Sequence, residues 1–462
     1  MISKIVKVKK SIIYFQVFFK RLLIVTVSAI FLVLLFFTFF YMNNGNQLNS
    51  NFNGERKVFI QEQNGQYSFN KNGKPFLVKG GAGYSFLKEL GMSGGNTIMC
   101  WDTSKIEAVL KDAEKLNIAV IIGLDIPGTD HIEFYKNEHN IENVYNLYSS
   151  IILRYKDNAA LLAWCLGNEL AMTASYETIP FYKSINRLLK MIHQNDPQHP
   201  VSTAIIDVPK MKLIGLQFTM PGLDFLSINT YNGLKILDTK LDDIKAFWSG
   251  PYLVGEWAPN GAWESTRTNW LAPIESTSTK KAEQFAELYN KYMPLNSPRF
   301  LGSLAFYWGC RQEYTNTWYS FFSEEGVPNE ISEVLKDCWN NSTSKHLSPR
   351  LRYMLVDSLG AADNIIFSPG TPHKVNLVLD TWSPQDTLFY KWQVYKEDWQ
   401  TWGSTWNYFK KLPAETGLFV DSTLQHPAFI APVKNGPYRI YVTVYNSKGY
   451  CATANTPIYV EE

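Results

Sequence analysis

Between residues 69 and 345 two hydrophobic periods alternate along the chain. Short runs of consecutive apolar residues occur at Phe76–Gly80, Asn96–Trp101, Ile118–Leu124, Leu161–Leu166, Val201–Ile205, Asp224–Tyr231, Tyr252–Trp257 and Ser303–Trp308. Runs of this length, apolar on both faces, are what strands of a covered parallel sheet require. Between them, apolar residues recur every three or four positions, as in Ile106, Val109, Leu110, Ala113 and Leu116, or Ile141, Val144, Leu147, Tyr148 and Ile151. That spacing predicts amphipathic helices. A further helix carries Ile185, Leu188, Leu189 and Ile192 and stops at Asp196-Pro197, because proline cannot continue it. Eight such strands alternating with helices over about 250 residues is the count of a (β/α)8, or TIM, barrel. A doubly wound open sheet is the alternative, and Gly80-Gly81-Ala82-Gly83 after the first strand is where its nucleotide loop would lie. The residue three past Gly83 is Phe86, so the GxGxxG pattern that opens a dinucleotide-binding helix is not met.

The texture changes near Ser348. Val375–Leu379, Leu388–Tyr395 and Tyr438–Tyr445 alternate apolar with polar residues and are separated by turn-forming Pro, Gly, Asn and Asp. Residues 346–462 are therefore expected to form an immunoglobulin-like β-sandwich, without the Cys…Trp…Cys framework of antibody domains. The α/β fold expected overall is a barrel at 69–345 followed by this sandwich.

Ahead of the barrel, Leu22 to Met42 carries no charged residue, and these 21 positions would span about 30 Å as a helix. The basic residues Lys4, Lys7, Lys9, Lys10, Lys20 and Arg21 all precede it, which predicts a cytoplasmic N-terminus at 1–21, a transmembrane helix at 22–42 and an extracytoplasmic body. A cleaved signal peptide is the competing reading; the run is longer than a signal core and ends in Phe39-Phe40-Tyr41-Met42, a poor cleavage site. Residues 43–68 are expected to be a tether and lead-in, Asn-, Gly- and Ser-rich at the start.

Composition narrows the function. The chain has 44 basic and 42 acidic residues; six basic residues lie in the first 42 positions, leaving a body with 38 against 42. A mildly acidic body without basic runs argues against nucleic acid as a partner. The five cysteines (Cys100, Cys165, Cys310, Cys338, Cys451) form no CxxC or Cys/His metal spacing, so neither a metal nor another cofactor is expected. They read as buried thiols, with a Cys310–Cys338 disulfide left open.

In a barrel of this kind, chemistry sits where strands end. The fourth run ends Gly167-Asn168-Glu169, the sixth Asn229-Thr230-Tyr231, the seventh Gly255-Glu256-Trp257 and the eighth Phe306-Tyr307-Trp308. Two glutamates facing each other across the barrel mouth are what glycoside hydrolysis needs: one carboxyl protonated to release the leaving oxygen, the other ionised to attack the anomeric carbon. Trp101, Trp257, Trp263 and Trp318 are candidate aromatic faces for sugar stacking, with Arg311 and Glu313 nearby to bond hydroxyls. Each of these residues also has a plain reading, the tryptophans as core and Glu313 as a loop residue making structural bonds.

Gly167-Asn168-Glu169 and Gly255-Glu256-Trp257 resemble the paired catalytic motifs of glycoside hydrolase clan A. Asn72–Gly80 and Gly95-Asn96-Thr97-Ile98 look like the first two strands of the family 2 type catalytic barrel. The resemblance, over about Phe69 to Asn340, implies a retaining mechanism with Glu169 as acid/base and Glu256 as nucleophile. It further implies that Asn168 bonds the sugar 2-hydroxyl, Tyr231 orients the nucleophile and Trp308 floors the subsite of the scissile sugar. Met99 stands where many clan members carry an arginine beside the nucleophile. The expected activity is a membrane-anchored retaining β-glycoside hydrolase or transglycosylase, acting on an extracytoplasmic polysaccharide or oligosaccharide. The alternative, prompted by Met99, is a non-catalytic carbohydrate-binding or scaffolding subunit of a membrane polysaccharide synthase or export system.

Overall fold

The computed structural model describes residues 18–32, 57–173, 175–208, 216, 219–245, 248–380, 386–397 and 411–462. The chain divides into two units, Met1–Gly54 and Glu55–Glu462. In the first, residues 18–32 are helical and expose Phe18, Phe19, Leu22, Leu23 and Ile24 among other apolar side chains. The expected membrane helix at 22–42 thus lies partly outside the described residues; among those described, no helix is long and apolar enough to cross a membrane.

The second unit is built on a closed barrel of eight strands, all paired in parallel: β4 (Val78–Ala82), β5 (Thr97–Cys100), β6 (Ala119–Leu124), β7 (Leu161–Asn168), β8 (Val201–Ile206), β9 (Phe225–Asn229), β10 (Tyr252–Trp257) and β11 (Phe300–Ala305). Each of the eight apolar runs contributes one barrel strand. In β6 all six residues are buried, because one face fills the barrel and the other lies under helices. The helix Ile106–Leu116 shows how the outer layer is made: Ile106, Val109, Leu110 and Ala113 face the sheet, and the helix stops at Asn117, in the left-handed region at φ 53°.

Within the lead-in the structure adds a small antiparallel sheet, β1 (Val58–Gln63), β2 (Gln66–Lys71) and β3 (Lys74–Phe76). Phe69 meets Phe225 edge-on at 5.4 Å, and the Tyr67 N–H donates to the Pro298 carbonyl at 2.7 Å. Both partners lie at or just before strand starts, so this sheet covers the end of the barrel opposite the mouth where the strands end.

After the barrel, β12 (Leu351–Val356), β14 (Pro372–Leu379) and β17 (Ala428–Ile430) form one sheet. A second contains β13 (Ile366–Phe367), β19 (Cys451–Val460), β18 (Gly436–Asn446), β15 (Leu388–Lys396) and β16 (Ala414–Glu415), in that order. Val356, Val375 and Leu377 from the first share an apolar core with Val394, Ile440, Val442 and Ile458 from the second. All five cysteines are free thiols.

Candidate active site

β7 reaches the barrel mouth through a local break in its pairing. The register with β8 shifts between Cys165 and Asn168. Gly167 takes φ 83°, where glycine is unstrained, and Glu169 itself sits at φ 51°. The Glu169 N–H still donates to Ala204 O at 2.9 Å, so the turn is pinned to the neighbouring strand. Strained backbone held by surrounding bonds is common at functional sites.

The end of β9 and the residues just after it reach both glutamates. The Asn229 amide donates to Glu169 Oε1 at 2.9 Å and to Asn168 Oδ1 at 3.2 Å. Glu256 lies opposite Asn229 in the β9–β10 register, and Tyr231 Oη lies 3.5 Å from Glu256 Oε2. Glu169 and Glu256 line the same cleft, of about 760 Å³, with Asn168, Asn229, Tyr231, Met99 and Trp101. Gly123 makes room for Trp101: a Cβ there would lie 2.0 Å from the indole Cε3.

Glu256 is 6% exposed. Burial raises its carboxyl well above the ordinary carboxylate range, and the charge of Glu169 pushes the same way, while Arg311 and the Tyr231 hydroxyl pull it back. The two carboxyls of the cleft thus oppose each other's ionisation. Burial also lifts the Tyr231 hydroxyl well above its usual value, with Glu256 adding to it, so Tyr231 stays a donor. Arg311 Nε meets Glu313 Oε2 at 2.6 Å, and its guanidinium lies 5.4 Å from the ring centres of both Phe306 and Tyr307. Trp263, half exposed, stands edge-on to Tyr231 at 5.1 Å. Among the described residues, no group of three or more His, Cys, Asp or Glu is placed to hold a metal ion.

Of the expected site residues, Glu169, Glu256, Asn168, Tyr231 and Trp101 come together here. Three tryptophans do not. Successive residues of a strand face opposite sides, so with Glu256 turned into the barrel mouth Trp257 points outward, against Phe285 and Tyr289. Trp308 is fully buried: its Nε1–H donates to Phe86 O at 3.0 Å and its ring packs on Phe322 and Trp339. Trp318 is buried too, with its Nε1–H donating to Asn260 O at 3.0 Å. The aromatic walls are instead Tyr84, Trp101, Trp263, Phe306, Tyr307 and Tyr314. Phe306 and Tyr307 directly follow β11, and the strand-end rule points to them as well as to Trp308. Asn229 ends β9 two residues before Tyr231, but its bond to the glutamate that follows β7 leaves no local pattern.

No protein-family model matches the chain. One curated relative, "Mannan endo-1,4-beta-mannosidase F" of Aspergillus clavatus, is 31% identical over 114 residues, covering 21% of this chain and 26% of the relative. The match thus spans about a quarter of that protein's length. Among solved structures, an endo-β-1,4-mannanase from Thermotoga petrophila aligns over 85% of this chain and 99% of its own, at 12% identity and TM-score 0.42. A β-glucuronidase from Faecalibacterium prausnitzii aligns over 63% of this chain and 53% of its own, at 18% identity and TM-score 0.48. Bacteroides uniformis β-glucuronidase 2 aligns over 87% and 48%, at 12% identity and TM-score 0.48.

Proposed function

We propose that the chain is a retaining β-glycosidase or transglycosylase. The observation that carries this reading is the convergence of Glu169 and Glu256 in one cleft, Glu169 bonded by Asn229 at the end of β9 and Glu256 approached by Tyr231 two residues on. In the first step a Glu256 oxygen attacks the anomeric carbon as the glycosidic C–O bond breaks, and Glu169 gives its proton to the leaving oxygen. In the second, Glu169 takes a proton from water or from an acceptor sugar hydroxyl. That oxygen then displaces Glu256 from the anomeric carbon, so the configuration is kept.

One proton between the two carboxyls is what this division of labour requires. Binding of a sugar between the carboxyls lets the proton reside on Glu169, while the Tyr231 hydroxyl and the Arg311 charge favour the ionised form of Glu256. Met99 lines the cleft without charge, and Arg311, from the segment after β11, supplies the cation instead. The substrate is a polysaccharide or oligosaccharide outside the cytoplasm, and the protein is held at the membrane by residues 22–42. Supporting this are the uncharged run and the six basic residues ahead of it. The C-terminal two-sheet module belongs to this reading as an immunoglobulin-like sandwich.

The test is Glu256→Ala on aryl β-glycosides with and without azide. Loss of turnover, restored by azide with inversion of the product, is expected; turnover unchanged from wild type removes Glu256 as nucleophile and with it the mechanism.

A further inference from the structure

The cleft carries a marked imbalance of charge. Asp102, Glu169, Asp207, Glu256, Glu264 and Glu313 line it, and among its lining residues Arg311 alone is basic. Asp207 is paired with Lys240 at 3.1 Å, and Glu264 accepts the Gly261 N–H at 2.9 Å. Arg311 is itself engaged: Nε meets Glu313 at 2.6 Å, and its backbone N–H donates to Ser320 Oγ at 2.9 Å. Glu313 is held in turn, since its backbone exchanges two hydrogen bonds with Thr315, at 3.0 and 2.8 Å. The guanidinium is thus already bonded to a carboxylate the protein supplies.

We propose that Glu313 sets the substrate class: by occupying Arg311 in an acid-lined cleft, it restricts the site to uncharged β-glycans and excludes uronic acid residues. A uronate entering this cleft brings another negative charge among those already there and finds the guanidinium charge already paired with Glu313. Like charges brought together in a partly desolvated site are what makes an interface reject the wrong partner. A neutral sugar loses nothing by this, because its hydroxyls bond carboxylates as donors. The inference rests on reading the cleft as a glycan site.

The experiment compares wild type, Glu313→Gln and Arg311→Met on p-nitrophenyl β-glucoside and p-nitrophenyl β-glucuronide. Binding of methyl β-glucoside and methyl β-glucuronide is measured alongside by saturation-transfer NMR. Wild type is expected to favour the glucoside in kcat/KM by ~100-fold, the size of a buried like-charge penalty. Glu313→Gln removes one carboxylate and releases Arg311, so the glucuronide-to-glucoside ratio should rise at least about tenfold. Arg311→Met leaves the negative charges without their cation and should not raise that ratio, which separates charge gating from general loosening of the loop. Equal use of the two wild-type substrates, or a ratio unmoved in a folded Glu313→Gln protein, overturns the proposal. If neither aryl glycoside is turned over, the binding arm decides: retention of methyl β-glucoside over methyl β-glucuronide supports the charge gate while the hydrolytic reading falls, and equal binding overturns the gate.

Discussion

Asn455, on the last strand of the chain, donates a 2.5 Å hydrogen bond to Oε2 of Glu275, in the segment between β10 and the helix Ser278–Tyr292. The same oxygen accepts from Thr315 at 2.6 Å, and Oε1 pairs with Lys281 at 2.8 Å. Lys281 also donates to the carbonyls of Thr317 and Trp318, at 2.6 and 3.1 Å. The two-sheet module therefore grips residues 315–318 from behind, while Arg311 and Glu313, a few positions earlier, face the cleft.

Glu275→Ala leaves Lys281 buried without its carboxylate and should cost about 3–5 kcal/mol. Asn455→Ala should cost about 1–3 kcal/mol. Urea unfolding measures both, and amide exchange over 311–318 should quicken in each variant. Burial opposes ionisation of Glu275, but Lys281 outweighs it and holds the carboxyl below its ordinary value of 4.5. A depressed folded-state pKa stabilises above the unfolded value and ceases to do so as pH falls through the folded one. The stability gap between wild type and Glu275→Gln should then be full above about pH 4.5 and shrink on acidification; a gap constant from neutral to acid pH would exclude the ion pair as its source.

Glu256 has the opposite sign. Its folded pKa lies above the ordinary 4.5, chiefly through burial, so its ionisation weakens the fold as pH rises from about 4.5 towards the raised value. Glu256→Gln should melt at a higher temperature than wild type at neutral pH, with the difference vanishing in acid. The acid limb of kcat/KM, where the nucleophile gains its proton, should lie above the usual carboxylate range. A limb at or below 4.5 would contradict this assignment.

Tyr231→Phe removes the hydroxyl beside Glu256 Oε2 and keeps the ring against Trp263 and Phe306. A hydrogen bond to a charged group contributes about 1.5–3 kcal/mol, so kcat/KM should fall by roughly 10- to 100-fold. Because that bond favours the ionised carboxylate, the acid limb should also move to higher pH. A loss of activity with the limb in place would mean that Tyr231 acts on packing alone.

Trp308 and Trp263 should separate stability from recognition. Trp308→Ala empties a fully buried site and should cost about 3–5 kcal/mol. Trp263 is half exposed at the cleft, and Trp263→Ala should raise KM several-fold with little change in the urea midpoint. The reverse pattern would return Trp308 to the sugar-binding surface.

Much of the architecture is written locally. The eight apolar runs and the helical spacing of Ile106, Val109, Leu110 and Ala113 express backbone periodicities that neighbouring residues satisfy among themselves, so they are visible in order along the chain. Glu169 and Glu256 could be found because strand ends of a parallel barrel gather at one mouth whatever the details of packing.

What local pattern could not supply is which way a side chain turns once the strand stops. Trp257 faces outward because Glu256 faces in, and Trp308 passes into the core, leaving Phe306 and Tyr307 at the cleft. The Arg311–Glu313 contact, the Asn229 bridge to Glu169 and the Asn455 hold on Glu275 are likewise settled by three-dimensional packing. The sequence alone determined the strand and helix order and the pair of carboxyls at the mouth. Tertiary structure decided the lining and the charge balance of the cleft, because desolvation and pairing depend on groups brought together from distant parts of the chain.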